Sequence, residues 1–233
     1  MLVLLFLTPV FEILPTAILG AIVIAGVISL FDYPEFFFLW KVHKKDCFLW
    51  TVAFLLSLFL GVEIGLGISV ALSLVIVLYE AAYPHTAVLG RLPGTTIYRN
   101  IKQYPEAQMF DGIVLIRVDA PLFFANAQNV RDKVRKYRLA AEDRTDSDVK
   151  FLIIDMTPVS HIDVSALHIL KDMVDNYKSR EQQLCFCNPS KAVMKQFDIS
   201  GFTDKVGRNY FFSCTHDAVK ACLAELDVES ASS

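Results

Sequence analysis

The first 83 residues and the 150 that follow differ sharply in their pattern of hydrophobic and charged positions. Only nine Asp, Glu, Lys and Arg side chains lie in residues 1–83, and the rest of the chain carries 38. The stretch Leu14–Phe31 contains no charge and ends before Asp32 and Pro34. Since about 20 helical residues cross the hydrocarbon core of a bilayer, this stretch predicts a membrane span. Residues 1–11 are too short to cross alone, and we expect the chain to begin inside a membrane helix.

Two further uncharged runs, Cys47–Leu60 and Ile64–Tyr79, are separated by a short segment at positions 61–63. They fit either two short spans joined as a hairpin or one long helix with a charge near its middle. One helix over both runs would reach about 50 Å and overshoot a hydrocarbon core of about 30 Å. The pattern therefore favours the hairpin.

Glu63 is the ionisable residue that lies well inside this apolar region. An unpaired charge in a membrane costs several kcal/mol, so such a residue is a candidate for function in transport. The alternative is that Glu63 lies in the wet outer turn of the hairpin and has a structural role. The second interpretation is favoured, and both remain open.

Basic residues flank the apolar pair on both sides, and cytoplasmic loops collect such residues. They are Lys41, His43, Lys44 and Lys45 before it, and Arg91, Arg99 and Lys102 after it. Both ends of the hairpin are therefore predicted to face the cytoplasm, in an integral, multi-pass membrane protein. The odd number of cysteines, five, argues against a secreted disulfide framework and for reduced thiols. A net charge of −3 argues against a nucleic-acid partner.

Strand and helix patterns alternate after the apolar region. The predicted strands are Gly112–Val118, Phe151–Ile154 ending at Asp155, Leu184–Cys187, and an edge strand Tyr210–Phe212. The predicted helices are Asn126–Glu142, one from Asp163, one over Ser190–Phe197, and one from Thr215 or Asp217 to Leu226. This order predicts an α/β domain with a small, mostly parallel sheet and packed helices. We expect residues 84–111 to be a linker with the first residues of this domain, 112–226 its body, and 227–233 a frayed tail.

The predicted helix Asn126–Glu142 is rich in basic residues: Arg131, Lys133, Arg135, Lys136 and Arg138. Such residues usually form a solvated face, and near a cytoplasmic leaflet they could contact anionic lipid. Cys185 and Cys187 are interpreted as facing opposite sides of their strand, which argues against a metal site. No nucleophile elbow or phosphate-binding loop is present, so neither catalysis nor a cofactor is predicted.

The segment Asp155–Leu167 resembles the core motif of STAS domains, which follow the membrane part of SulP-family anion permeases and also occur as bacterial anti-sigma-factor antagonists. Stretches 33–46, 61–66, 97–105 and 119–127 resemble plant-type sulfate permeases of the same family. Nearly the whole chain is covered by the resemblance.

The resemblance implies proton-coupled sulfate transport across the plasma membrane, a regulatory STAS domain in the cytoplasm, and a homodimer. Members of the family carry a dozen or more membrane helices as two inverted repeats, and the anion lies between half-helices of both. We therefore expect the chain to be the C-terminal portion of a sulfate permease, inactive alone because its anion site is missing. The alternative is a membrane-tethered interaction module that pairs with permease subunits or with a cytosolic regulator or kinase.

Within the motif, the resemblance places Ser165 at the position that is phosphorylated in the bacterial antagonists. Added negative charge is favourable near a helix start, which makes Ser165 a candidate switch. The alternative is that Asp163 caps the helix and Ser165 merely fills its first turn. Ala166 stands where the family usually has Gly, which weighs against close approach by a ligand or kinase. The motif's candidate residues are Asp155, Asp163 and Ser165.

Overall fold

The computed structural model describes residues 16–30, 32–145 and 147–232, and the chain divides into two compact units, Met1–Val75 and Ile76–Ser233. The helices are α1 Thr16–Leu30, α2 Tyr33–Val42, α3 Lys44–Leu60, α4 Val62–Ala82, α5 Phe124–Thr145, α6 Val164–Lys178, α7 Lys191–Ile199, α8 Phe202–Val206 and α9 Thr215–Ser232. The strands are β1 Thr86–Arg91, β2 Tyr98–Asn100, β3 Ile113–Val118, β4 Phe151–Asp155, β5 Gln183–Cys187 and β6 Phe211–Phe212.

The first unit is built from apolar helices. By length and composition, two segments, Ile18–Val42 and Val62–Ala82, could cross a membrane. Helix α1 lies inside the span predicted over Leu14–Phe31, and residues 1–11 lie outside the described residues. Helix α2 was not predicted. Its start is explained by Pro34 in the first turn and by the Asp32 side chain, which accepts a hydrogen bond from the backbone N–H of Glu35.

The chain forms two helices, not one, across the second apolar region. Helix α3 ends at Gly61, whose φ of 86° lies in the left-handed range that favours glycine. Helix α4 then returns so close to α3 that a Cβ on Gly65 would lie 2.4 Å from the backbone N of Ser57. The buried Ser69 hydroxyl donates to the Gly65 carbonyl at 2.7 Å. Two helices with a break at Gly61 agree with the hairpin rather than with one continuous helix.

The second unit contains a six-stranded sheet in the order β2-β1-β3-β4-β5-β6. Strands β3 to β6 are parallel, with Ile116 opposite Ile154 and Ile154 opposite Phe186, while β1 runs antiparallel to both β2 and β3. The predicted α/β domain with a mostly parallel sheet is confirmed. The antiparallel strands β1 and β2, within residues 84–111, were not predicted.

Two apolar clusters cover the two faces of the sheet. Helices α5 to α8 pack on one face, where the rings of Phe186, Phe197 and Phe202 are fully buried and contact one another in tilted and edge-on arrangements. Helix α9 packs on the other face through Ala218, Val219 and Cys222. Helix α9 continues to Ser232 and so extends beyond the Leu226 end predicted for it.

Cys185 and Cys187 face the same side of β5, toward α9, so the interpretation that they point to opposite faces was wrong. The reason is the two-residue period of a strand, which puts alternate side chains on one face. The Cys185 and Cys222 sulfurs lie 3.8 Å apart as free thiols. Burial, together with the nearby Asp155 carboxylate, raises the pKa of Cys187 to about 12, so this thiol stays protonated at neutral pH.

Candidate regulatory site

The carboxyl ends of the parallel strands bring together the residues of the predicted motif. In α/β sheets this edge is where ligands and partners usually bind. Asp155 ends the central strand β4 and is 6% exposed. Its Oδ1 accepts hydrogen bonds from the Thr157 backbone N–H at 3.0 Å, the Thr157 hydroxyl at 2.5 Å and the Asn188 side-chain amide at 3.2 Å. Three donors on one oxygen give Asp155 a structural role in fixing the turn after β4.

Asn188 carries this network to the next strand and to the terminal helix. It follows β5 in the left-handed region, with a φ of 55°, which asparagine tolerates better than most residues. Its side-chain amide donates to Asp155 and, at 3.0 Å, to the Thr215 hydroxyl at the start of α9. The sequence predicted a strand that ends at Cys187, directly before Asn188, but not this bridging role of Asn188.

Asp163 holds the starts of two helices. It is the N-cap of α6, as predicted, and its Oδ1 accepts from the Ala166 backbone N–H at 2.6 Å. Its Oδ2 accepts at 2.9 Å from the backbone N–H of Phe124, the first residue of α5. The segments before both helices are joined by Leu122, whose backbone N–H donates to His161 and whose carbonyl accepts from Asp163. The sequence predicted that this helix starts at Asn126, with Asn126 as its cap. That prediction was wrong, because α5 begins at Phe124 and Asn126 lies in its first turn.

Ser165 lies in the first turn of α6, two residues after Asp163, and its side chain is exposed. The positive end of the helix dipole and the free N–H groups of the first turn favour an added anionic group at this position. Ala166 is fully buried against the sheet. Asp163 and Ser165 therefore share one turn, while Asp155 is engaged on the side of β5 and α9.

Glu63 lies in the first turn of α4, directly after the break at Gly61, and its side chain is exposed. The first turn of a helix suits an acidic residue because its backbone N–H groups carry partial positive charge. This position is compatible with a local structural role for Glu63, and both interpretations of the residue stay predictions.

Side chains of α5 anchor the end of α4. The last carbonyls of a helix have no partner inside it and must be satisfied by other donors. Asn126 and Asn129 donate to the Ala81 and Ala82 carbonyls at 3.4 and 2.7 Å, and the Lys133 ammonium donates to the Pro84 carbonyl at 2.5 Å. Lys133 is thus not part of a solvated basic face. Its position in a basic run gave no sequence signal for this contact.

Asp119, Arg117 and His85 form an ionic group next to these contacts. The group lies just before the start of β1 and at the end of β3. Asp119 accepts from Arg117 Nε at 2.5 Å and lies 2.6 Å from His85 Nδ1. Burial raises the pKa of the Asp119 carboxyl, but the hydrogen bonds from Arg117 and His85 outweigh it, and the net pKa lies below its ordinary value. Asp119 is therefore ionised at neutral pH and ties Arg117 to His85.

Comparisons with known proteins agree with this architecture. A family model for the STAS domain matches residues 104–218, and one for the sulfate permease family matches residues 1–53. Sulfate transporter 4.1, chloroplastic, from Arabidopsis thaliana is 48% identical over 225 residues, which are 94% of this chain and 33% of that protein. Sulfate transporter 1.2 from the same plant is 40% identical over 233 residues, 98% of this chain and 36% of that protein.

The chain is also similar to a solved structure. The murine Solute Carrier 26 family member A9 anion transporter, in its inward-facing state, aligns with a TM-score of 0.73 and 29% identity. The alignment covers 91% of this chain and 34% of that one. The chain thus spans about a third of the length of the relatives and the structure that it matches.

Proposed function

This chain belongs to the sulfate permease family, and from that premise we propose that it contributes membrane helices and a regulatory STAS domain to a transporter that moves sulfate across a membrane. The observation that carries the proposal is the joint match of helices and domain to plant sulfate transporters over 94% of the chain. The proposed organisation is membrane helices in residues 1–83, a connecting segment 84–111 that also supplies the first STAS residues, and a STAS body in 112–226.

The transport proposal rests on relatives about three times as long as this chain, so its test compares two proteins. Yeast cells that lack their own sulfate permeases would express either the 233-residue chain or the complete reading frame that contains it. We expect uptake of labelled sulfate only from the longer protein, because the family's anion site needs half-helices from two inverted repeats. Uptake by the 233-residue chain would contradict the proposal that its anion site is incomplete. No uptake by a correctly inserted longer protein would overturn sulfate as the substrate.

We also propose proton coupling. Uptake by the longer protein is expected to rise as the external pH falls, and to drop when a protonophore collapses the gradient. Glu63→Gln in that protein tests the membrane charge: a changed pH profile of uptake supports a role in transport, and an unchanged profile supports the structural interpretation. Glu80→Gln is the matched control, because it removes an acidic side chain near the opposite end of the same helix.

The proposed location of the STAS unit is the cytoplasm, and of the whole protein the plasma membrane. Basic residues on both sides of the apolar pair support the orientation. One relative carries the word chloroplastic in its name, so a plastid envelope is the competing location. A fluorescent fusion of the complete protein, imaged with markers of both membranes, separates the two. Protease accessibility of residues 150–225 in sealed vesicles tests the orientation.

A second candidate function is a membrane-tethered interaction module that acts on other permease subunits, with a homodimer as the proposed assembly. Exposed apolar side chains beside the Ser165 turn favour it: Val164 is 71% and Ile199 76% exposed, and both border a cleft of about 300 Å³ with Leu167 and Lys171. Affinity capture with the wild-type chain and with a Val164→Glu/Ile199→Glu variant tests this function. Loss of a co-expressed permease subunit from the variant alone supports it, and equal capture contradicts it.

A further inference from the structure

A cleft of about 270 Å³ lies between α5 and α6 and is lined by an unusual concentration of arginine. Arg131, Arg135 and Arg138 come from α5, and Arg180 follows α6. Arginine suits multiply charged oxyanions because its planar guanidinium presents several N–H donors in a fixed geometry. The basic run of α5, expected to be a solvated face, thus contributes three side chains to one concave surface.

Arg138 is buried, with 8% of its side chain exposed, and its donors are only partly used. Its Nη1 donates to both carboxylate oxygens of Glu142, at 2.6 and 2.7 Å. Its Nε is buried and has no hydrogen-bond partner among the described residues. An unmet donor of this kind costs about 1–3 kcal/mol, and native proteins rarely leave one. Glu142 is the carboxylate that pairs with Arg138, and the Arg138 guanidinium adds positive charge to the cleft that it lines.

A buried tyrosine shares the cleft with the arginines. Tyr177 is 5% exposed and lines the same cleft. Burial raises the pKa of its hydroxyl, while the charges of Arg138, Arg180 and Arg135 and a hydrogen bond with Arg138 act in the opposite direction. These charges affect Tyr177 because they lie close to it. The hydroxyl remains protonated at neutral pH and is a further donor beside the three cations.

Carboxylates compensate these arginines only in part. Asp132 lies 3.9 Å from Arg131 at the exposed rim, Asp172 also lines the cleft, and Glu142 pairs with Arg138. Within the described residues, neither Arg135 nor Arg180 forms an ion pair, although Arg180 Nε donates to the Asn176 side chain at 3.3 Å. The cleft is thus lined by two exposed guanidinium groups, Arg135 on α5 and Arg180 after α6, and by the buried Arg138.

We propose that this cleft binds the oxyanion group of a small ligand of the phosphate or sulfate class, held by Arg135, Arg138 and Arg180. A tetrahedral oxyanion accepts several N–H bonds at once, which matches guanidinium donors contributed both by α5 and by Arg180 after α6. Chloride cannot make bidentate bonds of this kind. The volume exceeds that of a free anion, so a phosphomonoester with a small organic part also fits.

Local hydrogen–deuterium exchange on the complete 233-residue chain in neutral-lipid nanodiscs tests the proposal. The probes are inorganic sulfate, inorganic phosphate and glycerol 3-phosphate, each compared with chloride at equal ionic strength. We expect slower exchange in peptides covering 131–142 and 172–180. Because the readout is confined to these peptides, anion binding elsewhere in the chain does not affect it, and failure of the transport proposal leaves it unchanged.

Variants complete the test. Arg135→Gln/Arg180→Gln removes the two exposed guanidinium groups and should weaken binding at least tenfold, about 1.4 kcal/mol. Lys136→Gln/Arg144→Gln removes the same charge from exposed positions of the same helix outside this cleft and should bind normally. Protection by the inorganic anions supports a free-anion ligand, and protection by glycerol 3-phosphate alone supports a phosphomonoester. Equal protection by chloride, no protection by any probe, or equal binding by both double variants would overturn the proposal.

Discussion

The Asp163 carboxylate accepts a hydrogen bond at 2.9 Å from the backbone N–H of Phe124, 39 positions earlier in the chain, while it also caps its own helix. One side chain therefore fixes the starts of α5 and α6 relative to each other. Helix caps of this type contribute about 1 kcal/mol each. The relationship explains in physical terms why an acidic residue is needed immediately before the Ser165 turn.

Replacing Asp163 should destabilise the second unit more than loss of an ordinary cap. Asp163→Ala is expected to lower the free energy of unfolding by about 2 kcal/mol, because two backbone N–H groups lose their acceptor. Pulse proteolysis of the complete chain in increasing urea measures the change. Glu225→Ala, an exposed position in α9, is the control and should leave the urea midpoint unchanged. Equal midpoints for both variants would mean that the double cap contributes little.

The ionic group at Asp119 predicts a specific loss of stability in acid. Its pKa is lowered in the folded chain, so its contribution is complete above the ordinary value of 3.8 and is lost as the pH falls through the folded pKa. Asp119→Asn should remove that pH dependence and cost on the order of 1 kcal/mol at neutral pH. Urea midpoints from pH 6 downwards test this. A parallel decline in both proteins below pH 4 would assign the acid sensitivity to other carboxylates.

Ser165 is predicted to act as a switch without supporting the fold. Ser165→Ala should leave the urea midpoint unchanged, because the side chain is exposed, but should alter sulfate uptake or partner binding in the longer protein. Ser165→Asp places negative charge at the positive end of α6 and should raise stability by about 0.3–1 kcal/mol. His168→Ala, exposed one turn later, is the control. Wild-type uptake and binding in both Ser165 variants would rule out the switch.

Gly65 and Gly67 form a matched pair for testing the approach of α3 and α4. A Cβ at Gly65 would lie 2.4 Å from the Ser57 backbone, whereas a Cβ at Gly67 would meet nothing within 4 Å. Gly65→Ala should separate the helices and lower the yield of folded chain in membranes, while Gly67→Ala should be neutral or slightly stabilising. Detergent thermostability of the two variants measures this. Equal thermostability would show that the helices do not pack at this glycine.

The parts of the fold that sequence predicted are those fixed by local signals. The apolar run Phe151–Ile154 specified the central strand, where every residue is buried, and Asp163 and Ser190 marked the starts of α6 and α7 as their N-caps. Strand β2 has only three residues, and both β1 and β2 gain their place from antiparallel pairing, β1 with β3 and the two with each other. Their local pattern does not distinguish them from a linker.

In the candidate site, too, local signals predicted some features and missed others. Asp163 and Ser165 could be placed in one turn from the motif, but the bond between Asp163 and Phe124 joins positions that only the folded sheet brings together. The basic run of α5 predicted a solvated face, yet Arg138 is 7% exposed. Its burial depends on Glu142 one turn later and on Gln182 beside β5, which also donates to Glu142. Helical periodicity alone does not reveal such a tertiary partner.

The anchor between α4 and α5 has a mechanical consequence. Its three donors bind the carbonyls at positions 81, 82 and 84, on the last turn of a helix and the segment after it. A single hydrogen bond would still allow the end of α4 to rotate relative to α5. Three hydrogen bonds spread along α5 oppose both translation and rotation of the end of α4 relative to α5. The three donors lie within about two turns of α5, so the end of α4 cannot shift along that helix or rotate against it without breaking hydrogen bonds.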